Sequence, residues 1–338
     1  MNNKNLLGLL DNITDKPSKD KNILVIDSLN LFFRNFAVIN TLNGKGNHIG
    51  GLGGFLRSLG YLIKQMNPSQ IYLVFDGENS SLSRKNILPE YKSGRTSIRI
   101  NSKGIFDDKD EEIDSQVNQI SRLLQYLKIL PVKLLVLEKS EADDIIAYLS
   151  STLPKIDNNN KVFIVSNDRD FLQLTNSNVT IFRPTEKIYY SPETIKQKFG
   201  ILSENFILYK TLLGDSSDKI QGIKGLGEKK LLSKFPQLTE KKLILDDIFS
   251  ICEENIKEHV IYTRVLQDYD RIYQNYKLMD LSKPMIDKKG EEYIINIIDS
   301  STPHFNLGIF NKLQEEDQLD KVIRNPTEWA KSIFLNLK

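Results

Sequence analysis

Nine carboxylates stand at or near the ends of apolar runs in the first two-thirds of the chain: Asp27, Asp76, Glu141, Asp143, Asp144, Asp168, Asp170, Asp215 and Asp218. In an open α/β sheet, ligands gather just beyond the carboxyl ends of the parallel strands, so acids in these positions converge from distant parts of the chain. Left uncompensated they repel one another and raise each other's pKa, a conflict that a bound divalent cation relieves. The runs EADD and DRD each bring carboxylates two residues apart to a strand end. An oxygen-only site with retained water suits Mg2+, for which Mn2+ can substitute, better than zinc. Two such ions about 4 Å apart bracket a scissile phosphate, so the expected reaction is phosphodiester hydrolysis. Any one of these acids reads equally well as a helix cap or a solvated turn residue. It is their recurrence at four strand ends that carries the expectation.

Basic residues cluster elsewhere. A segment over residues 79–118 carries Arg84, Lys85, Lys92, Arg95, Arg99 and Lys103 against the single acid Glu90, and then turns acidic in DDKDEEID. An insertion of this length is more often functional or disordered than structural. Further on, GDSSDKIQGIKGLGEKK places Asp215 and Asp218 three apart, on one face if the segment is helical. Gly222, Gly225 and Gly227 then predict a hairpin between two helices whose exposed amides approach a phosphate, with Lys224, Lys229 and Lys230 adding charge. A plain helix–helix turn is the alternative reading of the glycines.

The elements that must position these residues follow a βαβ rhythm. NILVID, IYLVFD, VKLLVLE, KVFIVS and NVTIFRP read as strands, KIYY as an edge strand, and residues 50–66 as a glycine-rich turn and helix. The rhythm predicts an α/β fold with a mostly parallel sheet flanked by helices. Phe32, Phe33 and Phe36 have helical spacing and are expected in the core, and His48 is expected in a polar loop. After about residue 200 the pattern turns helical. The 338 residues give a net charge of only +2, and segregation of the two signs keeps a nucleic-acid partner open. The single cysteine, Cys252, points to a reducing, cytoplasmic setting, and no apolar run reaches the roughly 18 residues of a membrane span.

In order along the chain, Asp27, VFDG with Asp76, YKSGR, EADD, SNDRD and GDSSDKIQGIKGLGEKK resemble the 5′-nuclease superfamily of flap endonucleases and 5′–3′ exonucleases. The resemblance runs from about residue 22 to 235 and is greatest to the phage enzymes, such as the ribonucleases H of T-even bacteriophages. It implies a PIN-like nuclease domain over 22–200 with an arch or bridge over 79–118. A helical DNA-binding region over 201–338 would follow, with a helix-two-turn-helix element at 222–227. It further implies that Asp27, Asp76, Glu141 and Asp143 serve a first metal and Asp168, Asp170, Asp215 and Asp218 a second, with Asp144 nearby. Lys92 and Arg95 would reach the scissile phosphate, and Arg84, Lys85, Tyr91, Arg99 and the 222–230 turn would contact nucleic acid. In several relatives the carbonyls of that turn hold K+. The implied substrate is branched, nicked or RNA-primed duplex DNA, cut by a monomer in the cytoplasm, or in the host cytoplasm if the chain is phage-encoded. A single-strand DNA-binding protein is an implied companion. A fork-binding protein without catalysis and a PIN-type single-strand ribonuclease are the competing readings. The cluster NLLGLLDNI on its polar leash, residues 5–13 of a tail over 1–21, suits docking on a sliding clamp.

Overall fold

The structure, a computed structural model, describes residues 20–93, 104–335 and 337. Six strands form one sheet: β1 (Lys21–Asp27), β2 (Gln70–Phe75), β3 (Lys133–Val136), β4 (Asn160–Val165), β5 (Val179–Arg183) and β6 (Ile188–Tyr190). Their order is β3-β2-β1-β4-β5-β6, parallel throughout except for β6, which pairs antiparallel at the edge. β1 is flanked by β2 and β4, so the chain reverses its direction of travel across the sheet between β1 and β4. A crevice opens at such a switch point, and the expected α/β class follows from this topology.

β1 shows why the sheet is buried on both faces. Ile23 and Val25 point into one core and Leu24 and Ile26 into the other, as the two-residue period of a strand requires. One face is covered by α1 (Ser28–Val38), α2 (Gly50–Met66) and, after the short α3 (Leu82–Lys85), by α4 (Lys109–Leu127). Phe32 and Phe36 are fully buried there. α5 (Ala142–Ile156) packs on the opposite face and is joined by α6 (Pro192–Phe199) and α7 (Phe206–Leu213). That second core continues without a break into α8 (Glu228–Lys234), α9 (Leu245–Glu254), α10 (Val260–Gln267), α11 (Tyr269–Met279) and α12 (Lys288–Asp299). The last helices, α13 (Leu307–Asp317) and α14 (Pro326–Phe334), return to the α2 face.

Three expectations need correction. The acidic half of the 79–118 segment is the first turn of α4, with Asp108 as N-cap accepting from Glu111 N at 2.9 Å. Asp110, Glu111 and Glu112 sit at the positive end of the helix dipole, which explains their sign. Asp215 and Asp218 do not share a helix face, because the chain there forms a small antiparallel hairpin, β7 (Gly214–Asp215) with β8 (Ile220–Gln221), around a single 3-10 turn. His48 is buried: its Nε2 lies 2.7 Å from Ile39 O and its Nδ1 3.0 Å from Gln119 Nε2, between the rings of Phe36 and Phe106. Among the described residues no helix is long and apolar enough to cross a membrane. The clamp expectation for residues 5–13 falls outside the described residues.

Candidate active site

Acids at three strand ends are held by hydrogen bonds to neighbouring elements. Asp27 closes β1 and caps α1, with Oδ1 accepting from Asn30 N at 3.2 Å. Its Oδ2 accepts from Ser166 Oγ at 2.9 Å, at the end of β4. Ser166 Oγ also accepts from Asp168 N at 3.0 Å, and Asp168 Oδ1 from Asp170 N at 2.8 Å. Asp76, just past β2, caps α5 by accepting from Ala142 N at 2.7 Å. Capping thus orients these side chains and at the same time delivers them to the switch point.

The carboxyls so gathered are electrostatically frustrated. Burial pushes Asp27 up to about 7, with Asp76 and Asp168 adding like charge against the hydrogen bonds from Asn30 and Ser166. Burial and then Asp168 hold Asp143 well above the usual carboxylate range, against the pull of Lys92. The same two causes raise Asp170 to about 6, opposed by Lys210.

Two ammonium groups divide the acids. Glu141, 1% exposed, accepts at Oε2 from Lys92 Nζ at 2.9 Å and Tyr91 Oη at 3.2 Å and is ion-paired with an Arg84 guanidinium nitrogen at 3.1 Å. Lys92 holds a left-handed φ of 54° and donates its backbone N–H to Asp218 O at 3.3 Å. Against its burial, Asp143, Glu141 and Asp218 raise the Lys92 ammonium pKa. On the other side, Lys210 Nζ lies 2.6 Å from both Asp170 Oδ1 and Asp215 Oδ2. The first contact is a charge pair without an aligned hydrogen bond, because Asp170 Oδ1 is buried and has no hydrogen-bond partner. Asp215 is opposite in character: burial works against its charge, but hydrogen bonds from Lys210 and Ser217 outweigh it and hold the carboxyl at about 2. The hairpin therefore sends Asp215 to one group and Asp218 to the other.

Other expected site residues have different work. Asp144 is 1% exposed and paired bidentately with Arg84 at 2.6 and 3.0 Å, and it also accepts from Met285 N at 2.9 Å, so it faces away from the shared crevice. Arg84, 4% exposed, donates its Nε–H to Leu278 O at 3.2 Å and is too buried to present its guanidinium to a nucleic acid. Tyr91 is likewise buried, with its hydroxyl on Glu141. Gly222 is backed against the chain: a Cβ there would lie 2.0 Å from Leu213 O, so glycine is required for close approach of backbones rather than for a phosphate. Lys85, Lys224, Gly225, Gly227, Lys229 and Lys230 are exposed. Arg95 and Arg99 lie outside the described residues. Lys210 and Ser166 escaped the sequence reading. The lysine had a readable signal, since it interrupts the apolar run FILYKTLL, whereas a serine after a strand has none.

Among the described residues no three acids, histidines or cysteines stand as a ready-made cage for a metal ion. The ammonium groups of Lys92 and Lys210 occupy positions between the acids. The donor set is nevertheless oxygen-only, buried or half-buried except at Asp76, and crowded with one sign of charge, which fits a hard divalent cation.

A buried crest of acids at the switch point of an α/β sheet defines a class of phosphodiester-cleaving enzymes, and comparison with known proteins agrees. Residues 22–200 match the family model described as the 5′-3′ exonuclease, N-terminal resolvase-like domain. The chain is 30% identical over 283 residues to a 5′-3′ exonuclease of Buchnera aphidicola, covering 82% of this chain and 92% of that protein. It is 30% identical over 243 residues to DNA polymerase I of Bacillus subtilis, where the match takes up 70% of this chain and 26% of the polymerase. In fold it is similar to the flap endonuclease of bacteriophage T5 in complex with DNA and metal ions, with a TM-score of 0.61 at 19% identity, covering 92% of this chain and all of that one. The chain belongs to the 5′-3′ exonuclease family and is a hydrolytic 5′ nuclease.

Proposed function

We propose that the chain removes 5′ ends from duplex DNA, as RNA primers or as flaps, with two Mg2+ ions held by the acid crest. The observation that carries this reading is the convergence of Asp27, Glu141, Asp143, Asp168, Asp170 and Asp215 on one crevice at the strand ends, linked through Ser166, Lys92 and Lys210. Bound divalent cations would supply a deprotonated water and charge neutralisation at the phosphate. Asp27, Asp76, Glu141, Asp143, Asp168 and Asp218 would hold one side and Asp170 and Asp215 the other. Lys92 exchanges its contact with Glu141 for a phosphate oxygen, and its compact charge there favours the transition state. Residues 22–200 act as the nuclease domain and 201–338 as the helical DNA-binding region. The exposed Lys224, Lys229 and Lys230 beside the glycine turn meet the phosphate backbone of the duplex.

The test is cleavage of end-labelled flap, nicked and RNA-primed duplexes with Mg2+, with product lengths mapped, for the native chain and for Asp143→Asn and Asp168→Asn. Short products from the 5′ end are expected. Each substitution should lower the rate by about three orders of magnitude or more while duplex binding in Ca2+ stays within a factor of about two. A variant that still cuts at the native rate would remove these acids from the site.

A further inference from the structure

The glycine turn is where several relatives hold a potassium ion on backbone carbonyls, and a monovalent cation needs carbonyl oxygens that converge on it and answer to nothing else positive. Here every carbonyl from 221 to 225 already has a donor. Asn275 Nδ2 bonds Gln221 O at 2.8 Å, Arg271 reaches Gly222 O at 3.4 Å, and Leu226 N bonds Ile223 O at 3.0 Å. Arg264 bonds Lys224 O at 2.8 Å, and Lys230 Nζ bonds Gly225 O at 3.2 Å. Three of these five donors are cationic side chains. Arg264 comes from α10, while Arg271 and the buried Asn275 lie one turn apart on α11, some forty or more residues beyond the turn in sequence. Arg271 is also paired with Asp268, and its Nε is buried with no partner, so its guanidinium is held by packing as well as by hydrogen bonds. Gly225 is adapted to this arrangement. Its φ of +79° is open to glycine, and a Cβ there would come within 3.0 Å of the Arg264 guanidinium.

We propose that Arg264 and Arg271, with Lys230, brace the turn in place of a bound monovalent cation, so that its grip on duplex DNA does not depend on potassium. A potassium ion on these oxygens would face fixed like charges at close range. The guanidinium groups also do what an ion cannot: they link the turn by hydrogen bonds to α10 and α11, and so fix its position relative to the acid crest. The proposal rests on the reading of the turn as a duplex-gripping element.

Two measurements on the full chain test it. The first is the affinity for a nicked duplex in Ca2+, compared in KCl and NaCl at equal ionic strength. The second is a titration with thallous ion, followed by thallium-205 NMR, which reports monovalent-cation binding without DNA. The native chain should bind equally in the two salts, within about twofold, and give no bound thallium line. Arg264→Gln combined with Arg271→Gln should weaken duplex binding roughly tenfold, whereas Arg264→Lys, which keeps a cation on Lys224 O, should stay within about threefold. Circular dichroism melts of each variant separate loss of the brace from loss of the fold. Binding by the native chain that is about fivefold tighter in KCl than in NaCl would overturn the proposal, as would a bound thallium line or a double variant that binds like the native chain. If the native chain binds no duplex in either salt, the assignment of the turn to DNA falls, and the thallium titration alone decides the brace.

Discussion

The acid crest and the glycine turn solve opposite electrostatic problems. At the crest, like charges are packed into one crevice, and three carboxyls are pushed above their ordinary range by burial and by their like-charged neighbours. At the turn, consecutive carbonyls are matched one for one with donors, three of them positively charged. One region is built to take up cations from solution, and the other has supplied its own. Frustration therefore marks the place where chemistry is done, and completeness marks the place that must hold still while it is done.

The contrast can be broken at its strongest internal pair. Arg84→Ala leaves Asp144 buried with no countercharge, which should cost roughly 3–5 kcal/mol of stability. Urea unfolding measures this, and adding Asp144→Asn to the same chain should recover a large part of the loss. Were the single and double variants equally unstable, the pair would not be what ties α3 to α5.

A smaller effect, of opposite sign, is expected within the crest. Asp27 titrates at about 7 in the folded chain against 3.8 ordinarily, so its folded form binds a proton more tightly than its unfolded form does. Its contribution to stability is present below pH 4 and is lost as the pH rises through 7. Asp143 and Asp170 act in the same direction. Metal-free protein should therefore melt at falling temperature between pH 4 and 7, and Mg2+ should restore the loss. Asp27→Asn should flatten the profile and raise metal-free stability at pH 8 by roughly 2–4 kcal/mol. A substitution that destabilises the metal-free chain at pH 8 would show that the crest is not frustrated.

The mildest perturbation sharpens the turn's side of the comparison. Lys229→Gln is remote from the braced carbonyls and exposed, so it should weaken duplex binding uniformly across sequences by about two- to fivefold and reduce the salt dependence of log Kd by close to one unit. A change in cleavage rate at saturating substrate, with affinity untouched, would assign it to the crest instead.

Much of this was legible in the chain itself. Strands announced themselves as apolar runs, and the acids at their ends as candidates, because a parallel strand buried on both faces has few places for a carboxylate other than its exit. The helix over 50–66 and the edge strand in KIYY were equally plain. The errors came where local pattern and long-range partner disagree. Asp144 stands one residue from Asp143 in EADD, yet helical geometry turns it about 100° away, onto an arginine sixty positions earlier. Arg84 and Tyr91 belong to a run expected to contact nucleic acid, but Arg84 is buried on Asp144 and Leu278 and Tyr91 on Glu141.

The sequence by itself determined the class of fold, the inventory of acids and the family, because these depend on residue type, period and order. Only the tertiary structure decided which acids share a crevice, that Lys92 and Lys210 stand between them, and that α10 and α11 send arginines back to the glycine turn. The reason is physical. Periodicity is written in neighbours three or four residues apart, whereas the neutralisation of a buried charge is settled by whichever oppositely charged group the packed chain brings within about 3 Å.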